Sequence, residues 1–189
     1  DNNLESLQRL LQESPDLNQQ EPDGAEVPLT LAVSLQRVEA LKLLLEAGAD
    51  PSYVFPDMGM NLTILQAAAS KPDPELVRVL IDAGADLNAT NVMGSTALNE
   101  ALDKGHLKAV DALLNAGADV SAGTHGFQKS PALIRAIRLG YFDLVPRLLE
   151  LGADVNQANS EGATSLMFAL VADDEWRNQR PTEERDRRQ

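Results

Sequence analysis

A chain of 189 residues with 43% apolar content can bury a core, and its 29 acidic against 16 basic residues leave a net charge of −13, which repels phosphate backbones and argues against a nucleic-acid partner. The absence of cysteine excludes disulfides, thiolate nucleophiles and cysteine-built zinc sites. The richest apolar stretch, Leu41 to Ala49, is broken by Lys42 and Glu46 and falls far short of the roughly 20 residues a bilayer demands, so no membrane span is expected.

From the beginning of the chain, Leu4, Leu7, Leu10 and Leu11 fall on one helical face. Ser14-Pro15-Asp16-Leu17 closes that helix. The sequence opens on Asp1 with no basic and apolar leader before it, and a leader already removed fits this opening; a periplasmic and a cytoplasmic setting are both compatible. Val27-Pro28-Leu29-Thr30-Leu31-Ala32 then starts a short helix, and a second helix ends on Leu43-Leu44-Leu45 followed by Ala47-Gly48-Ala49-Asp50.

That ending recurs. The tetrapeptides Ala83 to Asp86, Ala116 to Asp119 and Leu151 to Asp154 repeat it, and the glycines Gly48, Gly84, Gly117 and Gly152 lie 36, 33 and 35 residues apart. Each follows a leucine-rich segment, so each glycine is predicted to end a helix in the left-handed conformation. Sixteen residues before each stands an alanine: Ala32, Ala68, Ala101 and Ala136. The helical part of the unit therefore has constant length, and the variable residues fall in the exposed connection between units.

In the second unit Pro72 and Pro74 stand in the turn between the helices, with Pro74 suited to a first helical turn. In the third, Thr96 or a neighbouring hydroxyl caps the first helix, Lys104-Gly105-His106 makes the turn, and Leu107, Val110, Leu113 and Leu114 form the apolar face of the second. In the fourth, Pro146 lies early in the second helix and is expected to bend its start. A fifth unit begins at Asn159 to Ala169, but the positions of its second helix fall on Glu175, Arg177, Asn178, Pro181 and Thr182, which cannot cover a core. Trp176 is expected to act as a partial lid, and 177–189, without an apolar residue, reads as a disordered mixed-charge tail, a basic interaction tail being the alternative.

Residue types and spacing together resemble the ankyrin repeat, most closely from Asn91 to Asp119, N-V-M-G-S-T-A-L-N-E-A-L-D-K-G-H-L-K-A-V-D-A-L-L-N-A-G-A-D. The resemblance implies an all-α solenoid of stacked helix-turn-helix units with projecting β-turn or hairpin fingers. One domain over 1–176 is expected, comprising a half repeat at 1–18, repeats at about 19–52, 53–88, 89–121 and 122–156, and a partial repeat at 157–176.

No catalytic constellation accompanies the repeats. Of the two histidines, His106 sits in the turn where the family uses histidine structurally, and His125 has no histidine or cysteine companion for a metal. Asp50, Asp86, Asp119 and Asp154 share one place after a helix-ending glycine and read as turn formers. G-x-x-x-x-G-K and G-x-S-x-G are both absent. Neither an enzyme nor a cofactor nor a metal is expected.

The fingers are unusually apolar. The second carries Tyr53, Val54, Phe55, Met58 and Met60, the third Val92 and Met93, the fourth His125 and Phe127. Aligned by stacking they form a patch suited to a protein partner; alternatively Tyr53 and Phe55 fold down and stabilise the inserted loop. The concave surface continues over Leu35, Lys71, Lys104 and Arg138, with Ser34, Ser70, Asp103 and Leu139 beside them. The resemblance implies a non-enzymatic protein-binding module. A basic partner suits the acidic surface, which could equally serve solubility alone. An inhibitor or immunity protein capping a secreted enzyme, and a scaffold assembling end to end, are the alternative functions.

Overall fold

The computed structural model of the chain describes residues 2–13, 16–18, 27–56, 59–123 and 130–170. A lone helix, α1 (Asn2–Gln12), precedes four helix pairs: α2 (Pro28–Ser34) with α3 (Val38–Glu46), α4 (Ile64–Ala69) with α5 (Pro74–Asp82), α6 (Ala97–Lys104) with α7 (Leu107–Asn115), and α8 (Ala132–Arg138) with α9 (Val145–Glu150). Residues 165–170 are helical again. The first helices pack in one row, α2 on α4 on α6 on α8, and the second helices in another, α1 on α3 on α5 on α7. No helix among the described residues is long and apolar enough to cross a membrane.

The stack is held by columns of equivalent residues. Leu29, Leu65, Leu98 and Leu133 are buried, as are Ala32, Ala68, Ala101 and Ala136, and as are Leu44, Leu80, Leu113 and Leu148. The leucines supply the hydrophobic gain, about 1.5–3 kcal/mol for each side chain removed from water. The alanines keep the first helices close, because a larger side chain would overfill the packed space between units. Leu107 departs from the expected face and is exposed, unlike Val110, Leu113 and Leu114. It is the first residue of α7. In α1, Leu4, Leu7 and Leu11 are half-buried and Leu10 is exposed.

Each second helix ends in the same way. Gly48 donates its N–H to Leu45 O and Ala49 to Leu44 O, both at 3.0 Å, and the same pair of bonds closes on Gly84, Gly117 and Gly152. These are Schellman turns. The four glycines have φ between 87° and 99°, and a Cβ on any of them would meet nothing within 4 Å; backbone conformation, not crowding, requires glycine there.

The aspartate after each turn builds a ladder along the stack. Asp50, Asp86, Asp119 and Asp154 accept through Oδ1 from the N–H two residues on, at 2.8 to 2.9 Å. The residue two positions on then binds the next unit: Asn18 Oδ1 accepts from Asp50 N at 2.9 Å, Ser52 Oγ from Asp86 N at 3.0 Å, and Asn88 Oδ1 from Asp119 N at 2.9 Å. Asp16 makes the same turn with Asn18 N, so the repeat's rhythm already holds at the end of the leading half unit.

Helix starts follow the local chemistry. Thr96 caps α6 by accepting from Asn99 N at 3.3 Å, Asp73 caps α5 by accepting from Glu75 N at 3.0 Å with Pro74 in the first turn, and Thr63 and Gln66 form a reciprocal capping box on α4. The start of the fourth unit's second helix is a 3₁₀ turn, Phe142–Leu144, which gives way to α9 with Pro146 in its first turn. Trp176 and the tail lie outside the described residues.

Candidate functional site

The fingers join the ladder side of one unit to the first helix of the next. The inserted second finger is a two-stranded hairpin, β1 (Val54–Phe55) antiparallel to β2 (Leu62–Thr63), with Val54 opposite Thr63 and Phe55 opposite Leu62. Alternation along β1 sends neighbouring side chains to opposite faces. Tyr53 and Phe55 accordingly pack, half-buried, against the core, while Val54 between them is 49% exposed. The third finger closes on Asn91, whose Oδ1 accepts from Met93 N and Ser95 N. Asn159 closes the fifth finger on Glu161 N and Ala163 N in the same manner.

Fingers two and three are joined directly, Val92 N donating to Met60 O at 3.1 Å. This brings the expected row together in part: Val92 is 51% exposed, and Met60 and Met93 are half-buried. Met58, His125 and Phe127 lie outside the described residues. Along the first helices, Leu31 of α2 and Leu35 at its C-cap are exposed, as are Lys104 and Arg138, and Lys71 is half-buried. Leu31 was not singled out by the finger argument; its signal is an apolar residue where the other units place Ala67, Glu100 and Arg135.

Three polar links fasten the scaffold behind this face. Gln66 donates through Nε2 to Ala89 O at 3.2 Å and to Ser95 O at 2.5 Å, anchoring the third finger to α4. His106 places Nδ1 3.1 Å from Ala69 O, a bond that needs the proton on Nδ1. Arg135, 2% exposed, donates from Nε to Ser130 O at 3.0 Å and pairs with the Asp103 carboxylate of the preceding unit. These roles are structural, and none supplies a nucleophile beside a base. Among the described residues no group of three or more histidines, aspartates or glutamates could hold a metal ion.

Stacked helix pairs with an extended exposed face define a repeat solenoid, a class that works by holding other macromolecules along that face. Residues 26–54 match the model of the ankyrin repeat and 54–124 that of ankyrin repeats in three copies. The chain belongs to the ankyrin repeat family, and its repeats form a protein-protein interaction module.

Among its relatives, it is 33% identical over 142 residues to the E3 ubiquitin-protein ligase KEG of Arabidopsis thaliana, a match covering 73% of this chain and 9% of that protein. It is 43% identical over 94 residues to the human ankyrin repeat and KH domain-containing protein 1, covering 49% of this chain and 4% of the relative. With the human ankyrin repeat and SOCS box protein 11 it shares 41% identity over 78 residues, 41% of this chain and 23% of the relative. The chain thus spans less than a quarter of each of these proteins.

Proposed function

We propose that the chain is a non-enzymatic binding module that takes a folded protein partner on its concave face, formed by the fingers and the first helices. The observation that carries this reading is the exposure of large apolar side chains on the fingers and the first helix, Val54, Val92, Leu31 and Leu35. Their neighbours Tyr53 and Phe55 are fixed against the core, so the hairpin presents Val54 on a rigid support. Rigid apolar anchors lose little entropy on association.

The test is direct. The protein most enriched on the immobilised chain is identified and its affinity measured against a Val54→Asp/Val92→Asp variant. The reading expects a loss of about tenfold or more, the scale of losing two apolar contacts, with an unchanged thermal midpoint. Equal affinity overturns it. A fall in the partner's enzymatic activity at one-to-one stoichiometry would identify the narrower role of inhibitor.

A second reading, end-to-end assembly, is supported by the fourth unit and the start of the fifth. Leu149, Leu151, Val155, Leu166, Met167 and Leu170 are all exposed, and a groove of about 580 Å³ at the other end is lined by Leu4, Leu7, Val38 and Ala40. Head-to-tail joining of unlike ends gives rings where the rotation between copies closes and open filaments where it does not. Mass in solution that rises with concentration and falls back in a Leu166→Asp variant supports assembly; a constant monomer mass removes it.

A further inference from the structure

The net charge of −13 suggests a basic partner, yet the face proposed to bind carries charge of the other sign. Lys71 and Lys104 occupy the same place in successive units, thirteen residues before Gly84 and Gly117, and Arg138 stands one residue earlier in the next. Leu35 holds the equivalent place in the first unit. All four lie at the ends of the first helices, which stack in that order.

These cations take part in no ion pair among the described residues, whereas Asp103 and Asp73 beside them are engaged. Among the described residues the ion pairs are Lys42 with Glu39, Arg78 with Glu75, Arg135 with Asp103, and Arg147 with Asp111. Lys71, Lys104 and Arg138 appear in none of them. Asp103 is held by Arg135, and Asp73, two residues after Lys71, caps α5. Glu39, Glu46, Glu75, Asp82 and Asp111 belong to the second helices.

Packed helices lie about 8–10 Å apart, so the row offers one apolar and three cationic positions at that spacing. A polyproline II strand rises about 3.1 Å per residue with three residues per turn. Every third side chain therefore projects to one side, about 9 Å from the last. A β-strand would turn every third residue to the opposite face. Taking the binding-module reading as its premise, the geometry points to an acidic peptide segment in the polyproline II conformation as the ligand of this row: a large apolar residue on Leu35 and carboxylates at the third, sixth and ninth positions beyond it, on Lys71, Lys104 and Arg138. The net charge of −13 disfavours unspecific docking of such a segment.

The experiment uses the whole chain and labelled synthetic peptides, read by fluorescence anisotropy. One peptide carries leucine and then glutamate at every third position, with proline and serine between; a second reverses that order; a third has the same composition with the glutamates consecutive; a fourth replaces glutamate by lysine. One of the first two is expected to bind about tenfold tighter than the third and to weaken with added salt, since the pairs are exposed. A Lys71→Glu/Lys104→Glu variant with an unchanged thermal midpoint should weaken it by about tenfold or more, as two attractions become repulsions. The Lys71→Gln/Lys104→Gln variant serves if the reversal unfolds the chain.

Equal binding of the spaced and consecutive peptides, tighter binding of the lysine peptide, or indifference to the lysine variants overturns the inference. A captured protein that is released by Val54→Asp/Val92→Asp but retained by the lysine variants leaves the binding module standing and removes the acidic ligand. If neither set of variants releases it, the concave face itself is wrong.

Discussion

The side-chain amide of Gln66 donates to the carbonyl oxygen of Ser95 at 2.5 Å, tying the first helix of one unit to the finger of the next. The same side chain receives Thr63 at the helix cap through its own oxygen: Thr63 N donates to Gln66 Oε1 at 2.9 Å. One residue thus starts its helix and positions the neighbouring finger. Asn99 holds the equivalent place one unit later with a side chain one methylene shorter, and its amide atoms are buried without a partner among the described residues.

Gln66→Ala is therefore expected to destabilise the chain by about 2 kcal/mol, since it strands the buried Thr63 N–H and the Ala89 carbonyl, while Ser95 O keeps its bond from Asn91 N. Asn99→Ala should cost at least about 1 kcal/mol less, having no such bonds to lose. Urea unfolding of both variants checks the difference, and equal losses would contradict this account of the Gln66 link.

Arg135 makes a sharper case because its guanidinium is buried while Asp103, its partner, is partly solvated. Asp103→Ala leaves a buried charge unpaired and should cost about 3 kcal/mol. The Asp103→Leu/Arg135→Met double variant should recover most of that loss, because apolar groups of similar volume need no counter-charge. Equilibrium unfolding measures both. A double variant no more stable than Asp103→Ala would show that the pair is not the source of the cost.

At the turns, Gly84→Ala is expected to destabilise by about 1 kcal/mol through the left-handed backbone alone. Space is not at issue, as a Cβ there meets nothing within 4 Å. Gly84→Asn should lose less, because asparagine tolerates that conformation better. Thermal unfolding of the pair distinguishes backbone strain from packing, and equal losses would argue against strain.

The scaffold was legible in the sequence because stacked units repeat their contacts. A leucine that packs in one unit packs in the next, so the columns through Leu65 and Leu98 can be read from spacing. Departures arise where a side chain's fate depends on a neighbour unlike itself. Leu107 keeps the apolar pattern but, as the first residue of α7, is exposed. Tyr53 and Phe55 look like tip residues in sequence, yet strand alternation in the hairpin turns them inward and Val54 outward. The positions of Lys71, Lys104 and Arg138 follow from alignment of the units, whereas their lack of ion pairs among the described residues follows only from where the carboxylates lie.

The central claim is that partner binding takes place on the finger and first-helix side. Hydrogen exchange of the chain with and without its captured partner tests it most directly. The account predicts slowed exchange at 53–56, 92–94 and the ends of α2, α4 and α6, with the exposed side of α3, α5 and α7 unchanged. Protection confined to α3, α5 and α7 would contradict it.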